Sequence, residues 1–303
     1  MSRSKRGILF TILGGVFWGL SGVCGQYLFS EKGLNAEWLV TMRLVLAGII
    51  MIILTIGRQK NVKDVFEIWT DKRDVIRLIA FGLLGMAACQ FTYFITIEES
   101  NASTATILQY TAPVLIMVFM SLKNKKIPES KELISLVFVV VGTFFIVTHG
   151  NIHSLAISKA ALFWGITSAF TVVVYNLMPV KLMNKYGTVP VLGWGMIIGG
   201  ILMTVITKPW IIPGIWDMGT WLAFVTVIIG GTVISFSLYL EGVRLIGASK
   251  ASLFASSEPL TSTVLTALVM KVAFTGMDIL GLMFILFGVT FLSVTKKSDN
   301  ISD

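Results

Sequence analysis

Residues 102–113 read ASTATILQYTAP and residues 248–259 read ASKASLFASSEP. Ala102, Ser103, Ala105 and Pro113 recur as Ala248, Ser249, Ala251 and Pro259, each displaced by 146 positions. The same displacement, without a gap, carries Gly85 onto Gly231, Tyr93 onto Tyr239, Lys125 onto Lys271 and Gly142 onto Gly288. Identities of these types in one register mark two copies of one unit. The copies are expected to occupy residues 1–150 and 151–303. Each sets a proline midway along an apolar segment, where in a helix interior it costs roughly 3 kcal/mol or more. Such a proline frees the carbonyl four residues earlier, here Gln109 and Ala255, so Pro113 and Pro259 are candidate hinges.

Composition names the solvent. The chain has 303 residues, 55% hydrophobic and 13% charged, against roughly 25% charged in soluble domains. A net charge of +8 does not point to nucleic acid, because the charges sit in short tracts between apolar segments. Cys24 and Cys89 both fall inside apolar segments, which argues against a disulfide framework or a metal knuckle. The first segment is too long for a signal-peptide core and is expected to be retained.

A helix needs about 20 mostly apolar residues to span a bilayer. Such segments are read at 7–29, 38–56, 78–97, 101–122, 132–148, 159–180, 187–207, 218–240, 249–270 and 276–295. The expected fold is therefore an all-α integral membrane protein of ten transmembrane helices. With the N-terminus cytoplasmic, 19 of the 24 basic residues fall on that side, so both termini are predicted cytoplasmic and the chain multi-pass in the cell membrane. Five helices per copy make the second copy enter from the opposite face. The halves are then two inverted five-helix repeats, an arrangement characteristic of carriers that expose a central site to each side in turn.

The first segment contains GILFTILGGVFWGLSG with Trp18-Gly19, the second carries Arg43 followed by Ala47, the third has Tyr93, the fourth runs from Ala102 to Pro113 and the fifth holds Gly142. In their order and duplication these residues resemble the EamA-type members of the drug/metabolite transporter superfamily over nearly the whole chain. The resemblance implies a ten-helix carrier of small metabolites or drugs, often an exporter, with a cavity formed mainly by helices 1, 3, 4, 6, 8 and 9. Where that family often has an acidic residue after the fourth and ninth helices, this chain has Lys125 and Lys271.

Glu258 is the sharpest single residue, since a charge at mid-helix costs about 2.5–3.5 kcal/mol on insertion scales. It is read as a counter-ion for a cationic cargo or as a proton carrier, against the plain alternative of a structural carboxyl. Trp18, Ser21, Gly22 and Gly25 share one face of the first helix, and Trp164, Ser168, Thr171 and Tyr175 share one of the sixth. Gln90 and Tyr93, Gln109, and Ser235 and Tyr239 add hydrogen-bonding groups. The substrate-binding set is thus Glu258, Gln109, Gln90, Tyr93, Trp18, Trp164, Tyr175, Ser235 and Tyr239, suited to a small polar, amphipathic or cationic molecule. Arg43 is expected to snorkel to the outer interface in a structural role. His149 and His153 lie in a glycine-containing loop without nearby carboxylates, a poor metal pair.

No nucleophile–base constellation or phosphate loop is present, so no enzymatic activity, cofactor or metal is expected. The expected partners are a small-molecule substrate and membrane lipid, with the chain functional as a monomer. The competing class is a non-transporting membrane protein: a receptor, a scaffold or an intramembrane enzyme.

Overall fold

The computed structural model describes residues 2–58, 63–123, 125, 127, 129–151, 154–246, 251 and 254–295. Ala248, Ser249 and His153, named in the sequence reading, lie outside them, as do five of the 19 basic residues counted toward the cytoplasmic side: Lys60, Lys126, Lys250, Lys296 and Lys297. No strand occurs among the described residues.

Eight helical segments there are long and apolar enough to cross a membrane. They are α1 (Arg3–Ser30), α2 (Ala36–Gly57), α3 (Lys72–Glu99), α4 (Ala102–Leu122), α5 (Ser130–Thr148), α6 (Lys159–Tyr186), α7 (Thr188–Thr207) and α8 (Met218–Val243). Two further helices follow, α9 (Ser257–Val269) and α10 (Gly276–Thr295). Several starts carry a side-chain cap that satisfies a free backbone N–H. Asp71 caps α3, Asn101 α4, Ser158 α6 and Asp217 Met218–Val225, the first part of α8. At α5, Glu129 and Glu132 form a reciprocal capping box, which begins the helix before the apolar run does.

Helices α3 and α8 each contain a π-helical stretch, Phe81–Ala87 and Thr226–Ile234. Gly85 lies in the first and Gly231 in the second. Helix α4 is interrupted at Tyr110–Thr111, between Ala102–Gln109 and Ala112–Lys123. Before α9 the backbone turns at Ala255–Ser256. Pro113 and Pro259 therefore sit in the first turn of a helix that starts afresh, rather than in a helix interior as their segments predict. In a first turn the missing N–H has no intrahelical partner to lose, so the interior penalty does not arise. The Ala255 carbonyl is not left free: it accepts from Glu258 N at 2.9 Å.

Helix α1 packs against α8 and α9, α2 against α7, α3 against α6, and α5 against α10. Ion pairs mark two opposite ends of the bundle. At one, Asp74 near the start of α3 accepts from Lys185 Nζ (2.8 Å) and Tyr186 OH (2.9 Å) at the end of α6. At the other, Lys32 after α1 pairs with Asp217 before α8 at 2.6 Å. The main core lies around α1, α2, α3, α7 and α8, while α4, α5 and α10 share a smaller one.

Candidate functional site

A cavity of about 410 Å³ lies among these helices. Seven of the nine substrate-binding candidates line it: Trp18, Gln90, Tyr93, Gln109, Tyr175, Tyr239 and Glu258, with Pro113 beside them. The six helices implied by the resemblance all contribute, and α2 and α7 add Arg43 and Leu192.

Packing holds the aromatic walls in place. Trp18 meets Phe236 edge-on, ring centroids 5.1 Å apart, and leans on Tyr239 at 5.2 Å. Tyr175 stacks on Phe81 at 6.1 Å. The Tyr93 hydroxyl shares a hydrogen bond with Thr106 Oγ1 at 2.8 Å, and Gln109 Nε2 donates to Ser168 Oγ at 2.7 Å. Gly22 and Gly25 serve packing instead: a Cβ at either would strike Tyr93 OH (2.7 Å) or Phe94 (2.6 Å). Their absent side chains let α3 approach α1 and bring Tyr93 to the cavity.

Glu258 comes from the first turn of α9. No hydrogen bond or ion pair to its carboxylate is formed among the described residues, and its side chain lines the cavity. A carboxylate with no hydrogen-bond or ion-pair partner among the described residues, in a cavity that it shares with Arg43, Gln90 and Gln109, is available to a cationic group or a proton.

Two candidates are not cavity residues. Trp164 packs edge-on against Phe91 (5.6 Å) and Phe163 (5.1 Å). It shares the Tyr175 face but stands 11 residues away, about 16 Å along the helix at 1.5 Å per residue, beyond the cavity. Ser235 is fully buried and donates to Gly230 O at 2.5 Å, its hydroxyl absorbed by the π-helical stretch. Pro259 is buried and does not line the cavity; Ala255 and Glu258 present that turn instead.

Arg43 departs from its expected position at the outer interface. It does not snorkel: it is 4% exposed and lines the cavity. Its Nε donates to Thr232 Oγ1 at 2.7 Å and Nη2 to Gly231 O at 3.0 Å, with the guanidinium 5.0 Å from the Phe94 ring centroid. Cys89, Tyr110, Asn176 and Met183 also line the cavity; spacing alone gives no reason to prefer them over their neighbours. His149, expected to lack a carboxylate partner, pairs through Nε2 with Asp278 Oδ1 at 2.9 Å, a contact made across 129 residues of chain. Among the described residues no three His, Cys, Asp or Glu side chains gather to hold a metal.

The sequence pattern of the EamA-like transporter family matches residues 5–148 and again 159–294. The chain belongs to the EamA-like transporter family. This EamA-like protein is 37% identical over 305 residues to the uncharacterized inner membrane transporter YicL of Salmonella typhimurium, covering 98% of each chain. It is also similar to the uncharacterized transporter YyaM of Bacillus subtilis, 21% identical over 268 residues, covering 85% of this chain and 82% of the relative. A solved crystal structure with 17% sequence identity superposes over the whole of both chains with a TM-score of 0.66, a likeness of fold alone. Family membership and the apolar helices identify a multi-pass membrane transporter.

Proposed function

We propose that this EamA-like protein is a secondary transporter that moves a small polar, amphipathic or cationic solute by alternating access. Glu258 binds the cationic group of the cargo and exchanges it against a proton. Export across the cytoplasmic membrane, with both termini cytoplasmic and the monomer as functional unit, is the direction and setting that the family resemblance and the distribution of basic residues favour. The observation that carries the reading is the Glu258 carboxylate, with no hydrogen bond or ion pair among the described residues, facing a cavity walled by Trp18, Tyr93, Tyr175 and Tyr239.

The machine is proposed as two inverted five-helix halves, residues 1–150 and 151–303, with all ten helices crossing the bilayer. Four observations support that symmetry. Tyr110 OH donates to Ser256 Oγ at 3.3 Å, joining a residue to its own counterpart 146 positions on, as happens on a two-fold axis. A Cβ at Gly142 would meet Gly281 O at 2.7 Å, and one at Gly288 would meet Ser135 O at 2.9 Å; exchanging the halves turns the first contact into the second. Gly85 and Gly231 both lie in π-helical stretches. Lys125 and Lys271 both adopt a left-handed backbone, φ 50° and 53°.

The test is flux of small amines into proteoliposomes under an imposed pH gradient, for the wild type and Glu258→Gln. A charge-assisted contact corresponds to about 10- to 100-fold in affinity, so uptake at limiting amine is expected to fall by that factor and to lose its response to the gradient. Undiminished, equally pH-responsive flux in the variant would return Glu258 to a structural role.

A further inference from the structure

Helices α4 and α9 carry the two copies of the repeat that opens the sequence, and they meet unequally on the two sides of their crossing at Tyr110 and Ser256. Toward the end of the bundle that holds Lys32 and Asp217, Ala102–Gln109 lies against α9, and hydroxyls line the contact. Ser103 Oγ and Thr263 Oγ1 share a hydrogen bond at 2.7 Å, and Thr106 Oγ1 lies 3.5 Å from Ser262 Oγ. The seam begins where the cavity ends, at Tyr93, whose hydroxyl pairs with Thr106. Ser103, Thr106 and Ser262 are buried, as is Thr266, one turn further along the same face of α9. Thr266 Oγ1 has no hydrogen-bond partner among the described residues.

On the other side of the crossing, toward Lys185 and Asp74, the cavity takes the place of a seam. Pro113, Ala255, Pro179, Met183 and Thr188 line it there. Ala112–Lys123, the second part of α4, packs on α5, α6 and α10. Exchanging the halves carries Ser103 and Thr106 onto Ser249 and Ser252, and Ser262 and Thr263 back onto Ile116 and Met117. Met117 belongs to the smaller core around α5 and α10, whereas Thr263, its counterpart, reaches across to α4. The two copies therefore hold different conformations at matching positions, and inverted copies that differ in this way can trade them.

Hydroxyl pairs between membrane helices are weak enough to part, and water replaces them when they do. The buried Thr266 hydroxyl is costly while the seam is shut and is satisfied once water enters. Static glue between helices has no need of an unpaired hydroxyl.

We propose that Ser103, Thr106, Ser262 and Thr263 form the gate of the carrier at its Lys32 end. The seam parts to admit water to the cavity from that face, and its counterpart at the Lys185 end, where Ile116 and Met117 replace two of the hydroxyls, closes by apolar contact. This rests on the transport reading, for which it supplies a moving part.

The test is the labelling rate of a thiol on the cavity wall, Gln90→Cys in a chain with Cys24→Ala and Cys89→Ala, by a membrane-impermeant methanethiosulfonate added to each face of vesicles of known orientation. The thiol is expected to react from both faces. Ser103→Ala with Thr263→Val is expected to raise the rate from the Lys32 face about threefold or more, the factor to which one membrane hydroxyl pair corresponds, without raising the rate from the Lys185 face. Oxidised Ser103→Cys with Thr263→Cys is expected to stop labelling from the Lys32 face and leave it from the other. A thiol that never reacts from the Lys32 face, or rates that neither change at the seam alters, overturn the gate. Should the cysteine pair fail to oxidise, the alanine–valine chain still decides. Flux of small amines separates the two readings. Labelling controlled by the seam in a chain that carries no amine removes amine transport and leaves the gate, whereas amine flux undiminished by the disulfide removes the gate and leaves transport.

Discussion

Gly19 shows how closely the site depends on atoms that are absent. A Cβ there would lie 2.8 Å from Glu258 O, 2.9 Å from Ser262 N and 2.9 Å from Thr261 Cβ, so α1 rests on the backbone that carries the carboxylate. Overpacking of this kind costs about 1–3 kcal/mol. Gly19→Ala is expected to lower the melting temperature in a fixed detergent and, by pushing α9 away, to weaken amine binding. An unchanged melt would mean that α1 and α9 are not in firm contact. Glu258 was legible as a lone carboxylate in an apolar segment. Arg43 was not, because a long side chain about 10 Å inside a helix end at 1.5 Å per residue can reach an interface just as well. Its inward course depends on Thr232 and Gly231, 189 and 188 residues further along the chain.

At the scale of elements, α4 and the approach to α9 are interrupted where a continuous kinked helix was expected. The Pro113 ring belongs to the first turn of Ala112–Lys123, where proline's fixed φ suits the helix. Pro113→Ala is therefore expected to change stability by no more than about 1 kcal/mol. It is also expected to slow flux, by letting the turn at Tyr110–Thr111 close into a continuous helix and displacing Tyr110 from the cavity. Thermal melts and flux on the same preparation check both halves of the expectation. A large stability change would show that the proline strains an interior position after all. The proline pair marked the places where the backbone departs from a regular helix. The form of the departure depends on local hydrogen bonds, such as Glu258 N to Ala255 O, that a pattern of residue types does not reveal.

Across the whole molecule, ion pairs join the first half of the chain to the second at both ends of the bundle. Lys32 and the Thr220 amide and hydroxyl hold the Asp217 carboxyl well below the usual carboxylate range, and Asp217 in turn pushes the Lys32 ammonium up. A depressed carboxyl contributes stability that is complete above its unfolded value, about 3.9, and fades as pH falls toward its folded one. The raised lysine contributes below its own unfolded value and loses this only as pH rises through the raised one. Asp217→Asn is thus expected to lower the melting temperature by a constant amount between pH 5 and 7 and by less below about pH 4. A deficit that persists undiminished into acid would show that the carboxylate's charge is not what the clamp uses.

The sequence alone determined the solvent, the family and the likeness of the two copies, because apolar run length and a common register are properties of the chain that no contact alters. It also picked out seven of the residues that line the cavity: Trp18 and Tyr175 by helical spacing, Glu258 by its charge, and Gln90, Tyr93, Gln109 and Tyr239 as hydrogen-bonding groups within apolar segments. Only the tertiary structure decided which stretch of each face meets the cavity, excluding Trp164 and Ser235, and only it turned Arg43 inward onto Thr232 and Gly231. Depth along a helix and partners from distant segments are set by how helices pack, and local periodicity carries no record of either.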